Sequence, residues 1–175
     1  MRNARRAIVA PVMTDHVIKV RKASRDDAKA LAVLMQALND HLNEPGEAIT
    51  AAAITRDLLT SESYCSVLVA EHDDGLVGYA LFHETYESIN AQRGYYMADL
   101  FVTQSVRRKG IGRALVSTVA AQARQQGQSF VWWASEAWDE EAQAFYAALG
   151  ASHNPMISHE LSHEGIEALV GTAET

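Results

Sequence analysis

The sequence predicts an α/β fold with a mixed central sheet, because segments typical of strands alternate along the chain with segments typical of helices. Two apolar runs, residues 66–71 and 76–82, flank Asp73-Asp74-Gly75, which is a turn signal of a β-hairpin. From Ile111 to Ala123, apolar side chains recur every four residues, as the buried face of a surface helix requires. A chain of 175 residues that is 48% hydrophobic can bury one substantial core.

Before the hairpin, the chain is expected to form one strand and two helices. Residues 17–20 are the predicted strand. Leucine and methionine side chains at helical spacing between Leu31 and Leu42 indicate the buried stripe of the first helix. The turn-forming residues 43–47 break the chain before a shorter helix at 50–60.

After the hairpin, strands and helices alternate as far as the C-terminus. Residues 95–102 form a largely apolar run that predicts a buried strand, and the helix that begins at Ile111 follows it. The remaining expected elements are a strand at 129–135, a helix at 139–150, a hairpin return that ends in a last strand within 153–162, and a short helix at 164–170.

A glycine-rich, cationic turn connects the strand at 95–102 to the next helix. Its sequence is Arg107-Arg108-Lys109-Gly110-Ile111-Gly112-Arg113. Glycines allow a tight turn and a close approach of the backbone to a ligand. The first amides of the helix lack intrahelical partners and lie at the positive end of its dipole, which favours phosphate binding. An ordinary strand–helix turn with solvated arginines is the alternative interpretation.

The spacing of this turn excludes two common phosphate motifs. Gly110-Ile111-Gly112 lacks the third glycine of the dinucleotide fingerprint, and no P-loop is present. The remaining pattern, Arg-x-x-Gly-x-Gly over residues 107–112, resembles the acetyl-CoA-binding motif of the GCN5-related N-acetyltransferases (GNAT).

A second signature of that family follows downstream. Residues 139–150, which contain Phe145-Tyr146 and end in Leu149-Gly150, resemble the family's Asn-x-x-Ala-x-x-Phe-Tyr helix. The resemblance covers residues 17–170. It implies the GNAT fold, in which a mostly antiparallel sheet of six to seven strands is splayed at its central strands and flanked by about four helices.

Within the family, several segments are similar to the diamine (spermidine/spermine-type) N-acetyltransferases. They include residues 78–88, residues 99–102, Trp138, and Leu149-Gly150-Ala151. This similarity favours an acetyl transfer to a small-molecule primary amine such as a polyamine, a diamine or an amino-acid-like amine. A protein or peptide acetyltransferase and a non-catalytic acyl-CoA-binding module remain alternatives.

Composition and charge limit the partners and the location that we expect. The net charge of −7 includes the three arginines of residues 1–12, so the remainder of the chain is more acidic still. Nucleic acid is therefore not an expected partner, whereas cationic ligands or simple solubility would explain the acidity. The single cysteine, Cys65, and the absence of a long apolar run predict a cytoplasmic protein with no membrane segment.

The first residues differ from the remainder of the chain. Residues 1–12 carry three arginines, no acid and no periodic pattern, and are expected to be a disordered tail. Residues 13–175 are expected to form a single acetyltransferase domain. A homodimer is expected by analogy with the family.

The resemblance assigns residues to the acetyl-CoA site. Backbone groups of the strand end at Leu100, Phe101 and Val102 would hold the pantetheine arm and polarise the thioester carbonyl. Amides and side chains of the turn would hold the pyrophosphate, and Asp139 would contact the pantetheine or a bound water. Asp139 replaces the usual asparagine and would equally serve as a helix N-cap. The cofactor residues are thus Leu100, Phe101, Val102, Arg107, Arg108, Lys109, Gly110, Ile111, Gly112, Arg113 and Asp139.

Acetyl transfer requires a base for the amine and an acid for the departing thiolate. Tyr146 is the candidate acid by resemblance, with simple packing as the alternative. Where the diamine branch has Glu-Asp on the central strand, this chain has Ala98-Asp99, so the glutamate is missing. Asp99 could act as base through water, bind the cationic end of the substrate, or pair with an arginine. Strand alternation predicts Met97, Asp99 and Phe101 on one face.

The acceptor pocket is expected to use acidic and aromatic side chains, because these suit an alkyl ammonium group. The segment from Glu87 to Gly94 is expected to be a loop long enough to cover the acceptor side, which disfavours a peptide substrate. The histidines show no metal-ligand spacing, and no metal is expected. The expected substrate-binding residues are Glu84, Tyr86, Glu87, Asp99 and Trp133, and further candidates are Asp40, Glu44 and Glu136.

Overall fold

The computed structural model describes residues 18–44, 49–72 and 75–173. The expected tail at 1–12, the hairpin turn at 73–74 and most of the break at 43–47 lie outside these residues. The chain divides into two compact units, residues 1–134 and residues 135–175, and each is described here by itself. The expectation of one domain over 13–175 stays a prediction.

In its described part, the first unit contains a sheet, three α-helices and two short 3₁₀ turns, at Arg25–Asp27 and Gln104–Val106. The described residues of the second unit form two helices, α4 at Glu140–Ala148 and α5 at His163–Ala173. In the first unit the strands are β1 Lys19–Lys22, β2 Cys65–His72, β3 Gly75–Glu87, β4 Gln92–Val102 and β5 Phe130–Trp132, and the helices are α1 Ala28–Leu42, α2 Ala51–Asp57 and α3 Ile111–Gln125.

The described sheet has five strands in the order β1-β2-β3-β4-β5, rather than the expected six to seven. Neighbours from β1 to β4 are antiparallel, and β4 and β5 are parallel, so the sheet is mixed and mostly antiparallel as predicted. The expected last strand within residues 153–162 is wrong, because this segment has no regular secondary structure. The described residues form five α-helices where about four were expected.

The two faces of the sheet are covered by different helices. Leu31 of α1 and Ile54 of α2 pack with Tyr79 and Phe101 on one face, in a core whose central side chains are fully buried. A Cβ placed on Gly78 would lie 3.4 Å from Leu115 Cδ1, which puts α3 on the opposite face. The amphipathic spacing in the two long helices therefore marks the side chains that contact the sheet.

Ion pairs hold the start of α1 to the sheet. The guanidinium of Arg21 donates to both oxygens of Asp27, at 2.7 and 2.8 Å, and to Glu71 at 2.6 Å. Asp27 also accepts hydrogen bonds from the backbone amide and the hydroxyl of Ser24, at 2.7 and 2.9 Å. The Arg21 guanidinium holds the pKa of Asp27 far below its ordinary value. The polar cluster thus fixes the entry into the first helix.

The hairpin between β3 and β4 closes in a short turn. Pairing continues out to Glu87 and Gln92, so only residues 88–91 connect the strands. Both oxygens of Glu87 accept hydrogen bonds from this turn, including one from the Ile89 amide at 2.7 Å. The predicted long covering loop between Glu87 and Gly94 is therefore wrong.

Candidate functional site

The central strands diverge at the end of β4. Strand β5 pairs with β4 only from Gly94 to Tyr96, and no described strand continues alongside residues 97–102 on that side. The Thr103 amide donates to the Val77 carbonyl at 2.8 Å. Because alternate residues of an antiparallel strand bond the same neighbour, the backbone groups of Leu100 and Val102 point away from β3, into the opening.

This opening is where the sequence placed the pantetheine arm. The Val102 carbonyl accepts a hydrogen bond from Arg107 Nε at 3.1 Å, which ties the turn to the strand end. Phe101 differs from its neighbours in the strand, because its backbone faces β3 and its side chain packs in the core. Leu100 and Val102 therefore have the geometry to present backbone groups to a ligand in the opening.

The cationic turn contains two residues with left-handed backbone. Gly110 has a φ of 85° and Arg108 a φ of 63°. A Cβ on Gly110 would meet nothing within 4 Å, so its backbone conformation, rather than lack of space, favours glycine there. The first bond of α3 runs from the Ala114 amide to the Gly110 carbonyl, at 2.9 Å. The amides of residues 111–113 consequently have no intrahelical partner.

The side chains of the turn extend from this frame. Lys109 and Arg113 are exposed, and Arg107 is half-buried against the strand end. Ile111 is buried and anchors the first turn of α3 in the core. The predicted combination of outward amides and nearby cations is therefore present in the first unit.

Asp99 lies in β4 directly before the opening. It is half-buried, and Tyr79 Oη donates to its Oδ2 at 3.0 Å. Burial raises the pKa of Asp99, and the hydrogen bond from Tyr79 offsets part of that rise. Among the described residues, Oδ1 of Asp99 accepts no hydrogen bond. The expected alternative, a pair with arginine, is not what the structure shows, because the partner is a tyrosine.

A β-bulge precedes Asp99. Leu81 pairs with Asp99 and the next residue, Phe82, pairs with Met97, so Ala98 is an extra residue of β4. Because successive residues of β3 point to opposite faces, Met97 and Asp99 lie on opposite faces of the sheet. The predicted shared face of Met97, Asp99 and Phe101 is wrong for Met97. The inserted residue is the physical reason.

The alternation of β3 separates the predicted acceptor residues. Glu84 and Tyr86 follow Phe82 in alternation and lie on the face opposite Asp99. Glu87 shares the face of Asp99, but the turn uses its carboxylate. Trp133 directly follows the end of β5. Asp40 and Glu44 are exposed near the end of α1, and Glu136 is exposed in the second unit.

Sequence analysis missed the side chains that do share the face of Asp99. His83 pairs with Tyr96, and Tyr96 pairs with Trp132. On β3, His83 lies two residues after Leu81, which is the partner of Asp99. Tyr64, next to β2, contacts His83. The aromatic residues are visible in the sequence, but the register of β3 with β4 and the bulge in β4 decide which of them share the face of Asp99.

The second unit contains the other two predicted residues. Asp139 is the N-cap of α4, and its side chain accepts a hydrogen bond from the Ala142 amide at 2.9 Å, as the capping interpretation predicted. Burial, together with the negative charge of Asp139, raises the pKa of Tyr146 to about 12. Tyr146 therefore keeps its proton at neutral pH, as a proton donor must.

Comparisons with known proteins agree with this arrangement. The model of the acetyltransferase (GNAT) family matches residues 32–151. The L-ornithine N5-acetyltransferase of Arabidopsis thaliana is 38% identical over 80 residues, 46% of this chain, and the chain spans about a third (35%) of that protein. The thialysine N-epsilon-acetyltransferase of Bos taurus is 27% identical over 77% of this chain and 84% of its own length. An integron cassette protein from V. cholerae has a TM-score of 0.74 and 22% identity over 87% of this chain and 97% of its own.

The fold and the splayed strand end define an α/β acetyltransferase of the GNAT type. The chain belongs to the acetyltransferase (GNAT) family, because the family model matches more than half of it. Its enzyme class is N-acetyltransferase, and acetyl-CoA is the donor that GNAT acetyltransferases use. Within the described residues, no group of three or more metal-ligating side chains occurs, and none of the helices is long and apolar enough to span a membrane.

Proposed function

We propose that this chain transfers an acetyl group from acetyl-CoA to a primary amine of a small molecule. The observation that carries the proposal is the open edge of β4 at Leu100 and Val102, between the cationic turn and Asp99. Near this strand end, backbone groups would contact the thioester and the cationic turn would contact the pyrophosphate. The carboxylate would contact the amine.

The residues present fit acetyl-CoA. The first amides of α3, at the positive end of the helix dipole and next to Gly110 in its left-handed conformation, would hold the pyrophosphate. The outward backbone groups of Leu100 and Val102 would pair with the pantetheine arm and polarise the thioester carbonyl. When bound, acetyl-CoA supplies an activated acetyl group.

The transfer itself moves two protons. The amine nitrogen attacks the thioester carbonyl carbon, the carbon–sulfur bond breaks, one proton leaves the nitrogen and one reaches the sulfur of CoA. Asp99 would accept the first proton, directly or through water, and its raised pKa makes it a better base than an exposed aspartate. Tyr146 would donate the second proton.

The small-molecule acceptor is supported by the relatives, whose names give L-ornithine and thialysine as substrates. Membership of the diamine branch, a cytoplasmic location and a homodimer are further proposals. A protein or peptide acceptor is the second candidate, and one observation favours it: the turn at residues 88–91 is too short to cover the acceptor side.

The deciding experiment measures CoA release from acetyl-CoA with a panel of acceptors, from diamines and thialysine to aminoglycosides and lysine peptides, for the wild type and Tyr146→Phe. Turnover of small amines that falls sharply in Tyr146→Phe is expected. Turnover of peptides alone would favour the second candidate. Tight acetyl-CoA binding without turnover of any acceptor would indicate a non-catalytic acyl-CoA-binding module.

A further inference from the structure

Four aromatic side chains form a continuous row across the sheet. The ring centroids of Tyr96 and Trp132 are 4.9 Å apart, those of His83 and Tyr96 are 5.4 Å apart, and those of Tyr64 and His83 are 6.2 Å apart. The row, called here the aromatic row, thus extends from the start of β2 across β3 and β4 to β5.

The aromatic row lies on the same face as Asp99. His83 is two residues beyond Leu81 on β3, and Leu81 is the partner of Asp99. At about 3.4 Å per residue, the row is therefore about 7 Å from Asp99 along the sheet. The row is accessible, because Trp132 is 43% exposed and Tyr64 is 83% exposed.

The phenyl ring of Phe130 extends the aromatic surface beyond the row. A Cβ on Gly94 would lie 2.5 Å from that ring, so only glycine lets the ring lie against β4. Gly94 is two residues before Tyr96 on β4, and Phe130 is two residues before Trp132 on β5. Because residues two apart in a strand share a face, Phe130 lies on the same face as the aromatic row.

On the strands that carry the aromatic row, this face has carboxylates but no lysine or arginine. Strands β2, β3 and β5 contain no lysine or arginine, and Arg93 of β4 pairs with Tyr86, which lies on the opposite face. The acidic side chains that β3 and β4 place on the face of the row are Asp99 and Glu87. Arg21 of β1 lies on the same face but at the opposite edge of the sheet, where it pairs with Asp27 and Glu71. On β2 to β5, an aromatic surface flanked by carboxylates therefore attracts positive charge.

We propose that the aromatic row binds a second positive charge on the acceptor, so that the enzyme prefers primary amines that carry another ammonium group. This inference rests on the proposed function, because it takes the acetylated amine to lie beside Asp99 and the opening of β4. The second ammonium group is held over the rings of Tyr96 and Trp132 by cation–π attraction.

The distance sets the length of the acceptor. Backbone dimensions give about 1.2 Å per bond in an extended chain, so about 7 Å corresponds to five or six bonds. A diamine whose nitrogens are separated by four or five carbons spans that distance. A monoamine of the same length reaches Asp99 but places no positive charge over the aromatic row.

The experiment compares 1,4-diaminobutane with n-butylamine as acceptors, by CoA release from saturating acetyl-CoA. The wild type is expected to have a kcat/KM for the diamine at least about tenfold above that for the monoamine. In Tyr96→Leu and in Trp132→Leu, KM for the diamine is expected to rise about fivefold to tenfold, with the monoamine value little changed.

Conservative and remote variants control for folding. Tyr96→Phe and Trp132→Phe keep a ring at each position and are expected to retain most of the preference. Ile89→Ala changes a side chain that is 89% exposed in the hairpin turn, and should behave as the wild type. Acetyl-CoA affinity and the thermal midpoint of each variant show that the fold is intact.

The outcomes separate the two proposals. Absence of CoA release with every amine would contradict the proposed function itself. Turnover of amines with equal kcat/KM for monoamine and diamine would leave the function standing and overturn the role of the aromatic row. The same conclusion would follow if Tyr96→Leu lowered both values equally, or if Tyr96→Phe lost as much as Tyr96→Leu.

Discussion

The hydroxyl of Tyr79 donates a hydrogen bond of 3.0 Å to the carboxylate of Asp99, across two strands at the centre of the sheet. Tyr79 is fully buried and packs against Phe101, so the donor is fixed by the core. The pair thus joins the hydrophobic core to an acidic group beside the opening of β4. The hydrogen bond from Tyr79 lowers the pKa of Asp99 against the rise that burial causes.

Tyr79→Phe is expected to shift the pH dependence of acetyl transfer. The Tyr79 hydrogen bond stabilises the ionised carboxylate, so its loss raises the pKa of Asp99 further. A base works when deprotonated, so activity rises with pH through this pKa and the acid limb of kcat/KM moves to higher pH. Initial rates at a series of pH values check this shift. In Asp99→Asn, the acid limb of kcat/KM is expected to be absent. A limb that stays in place or moves to lower pH would contradict Asp99 as the base.

Tyr146→Phe is expected to lower kcat about 100-fold, because the departing sulfur loses its proton donor. Acetyl-CoA affinity should change little, since the ring remains. Rapid-quench or steady-state rates together with calorimetric binding distinguish these effects. Phe145→Leu is the control at the neighbouring position. The ring centroids of Phe145 and Tyr146 are 5.2 Å apart, but the Phe145 ring has no proton to donate. A kcat of Tyr146→Phe within a few-fold of the wild type would restrict Tyr146 to packing.

Gly110→Ala is expected to weaken acetyl-CoA binding about fivefold to thirtyfold, because a left-handed alanine costs about 1–2 kcal/mol and the turn relaxes away from it. Gly127→Ala is the matched control: Gly127 also has positive φ, 69°, and open space around its Cβ position, but it follows the other end of α3. Both variants should lose similar stability in urea. Equal loss of acetyl-CoA affinity in both would show that the turn has no special role.

Tyr96→Leu and Tyr86→Leu test which face of the hairpin binds the acceptor. Tyr86 is 61% exposed and was a predicted substrate residue, whereas the bulge leaves Tyr96 on the face of Asp99. The rise in acceptor KM is expected to be about fivefold larger for Tyr96→Leu than for Tyr86→Leu. Steady-state kinetics with a diamine measure it. A larger effect of Tyr86→Leu would support the placement predicted from sequence.

Asp27→Asn is expected to destabilise the fold by about 2–3 kcal/mol at pH 7, because it removes a paired, hydrogen-bonded carboxylate. The pKa of Asp27 is lowered in the folded state, so its stabilisation is complete above its ordinary pKa and is lost as the pH falls below that value. Urea unfolding at pH 7 and pH 3 should show the difference from wild type shrinking at the lower pH. Asp57→Asn, in an exposed ion pair with Arg56, is the control and should change the midpoint very little.

Local patterns predicted much of the fold. The stripe from Leu31 to Leu42 and the spacing from Ile111 to Ala123 both gave helices that cover the sheet, because helix period and burial are properties of neighbouring residues. Element ends were less accurate, and the strand expected within 153–162 did not form. The sequence of a short apolar stretch does not show whether another strand is available to pair with it.

By itself the sequence determined the family, the cationic turn, and the cap at Asp139, since each depends on residue types at fixed spacing along one segment. The tertiary structure alone decided which side chains surround Asp99. The bulge at Ala98 changes the alternation of β4, so that Tyr96 shares a face with Asp99, and with His83 of β3, while Met97 does not. A one-residue insertion in a strand reverses the facing of everything beyond it, and only the pairing with the neighbouring strand reveals where it occurs.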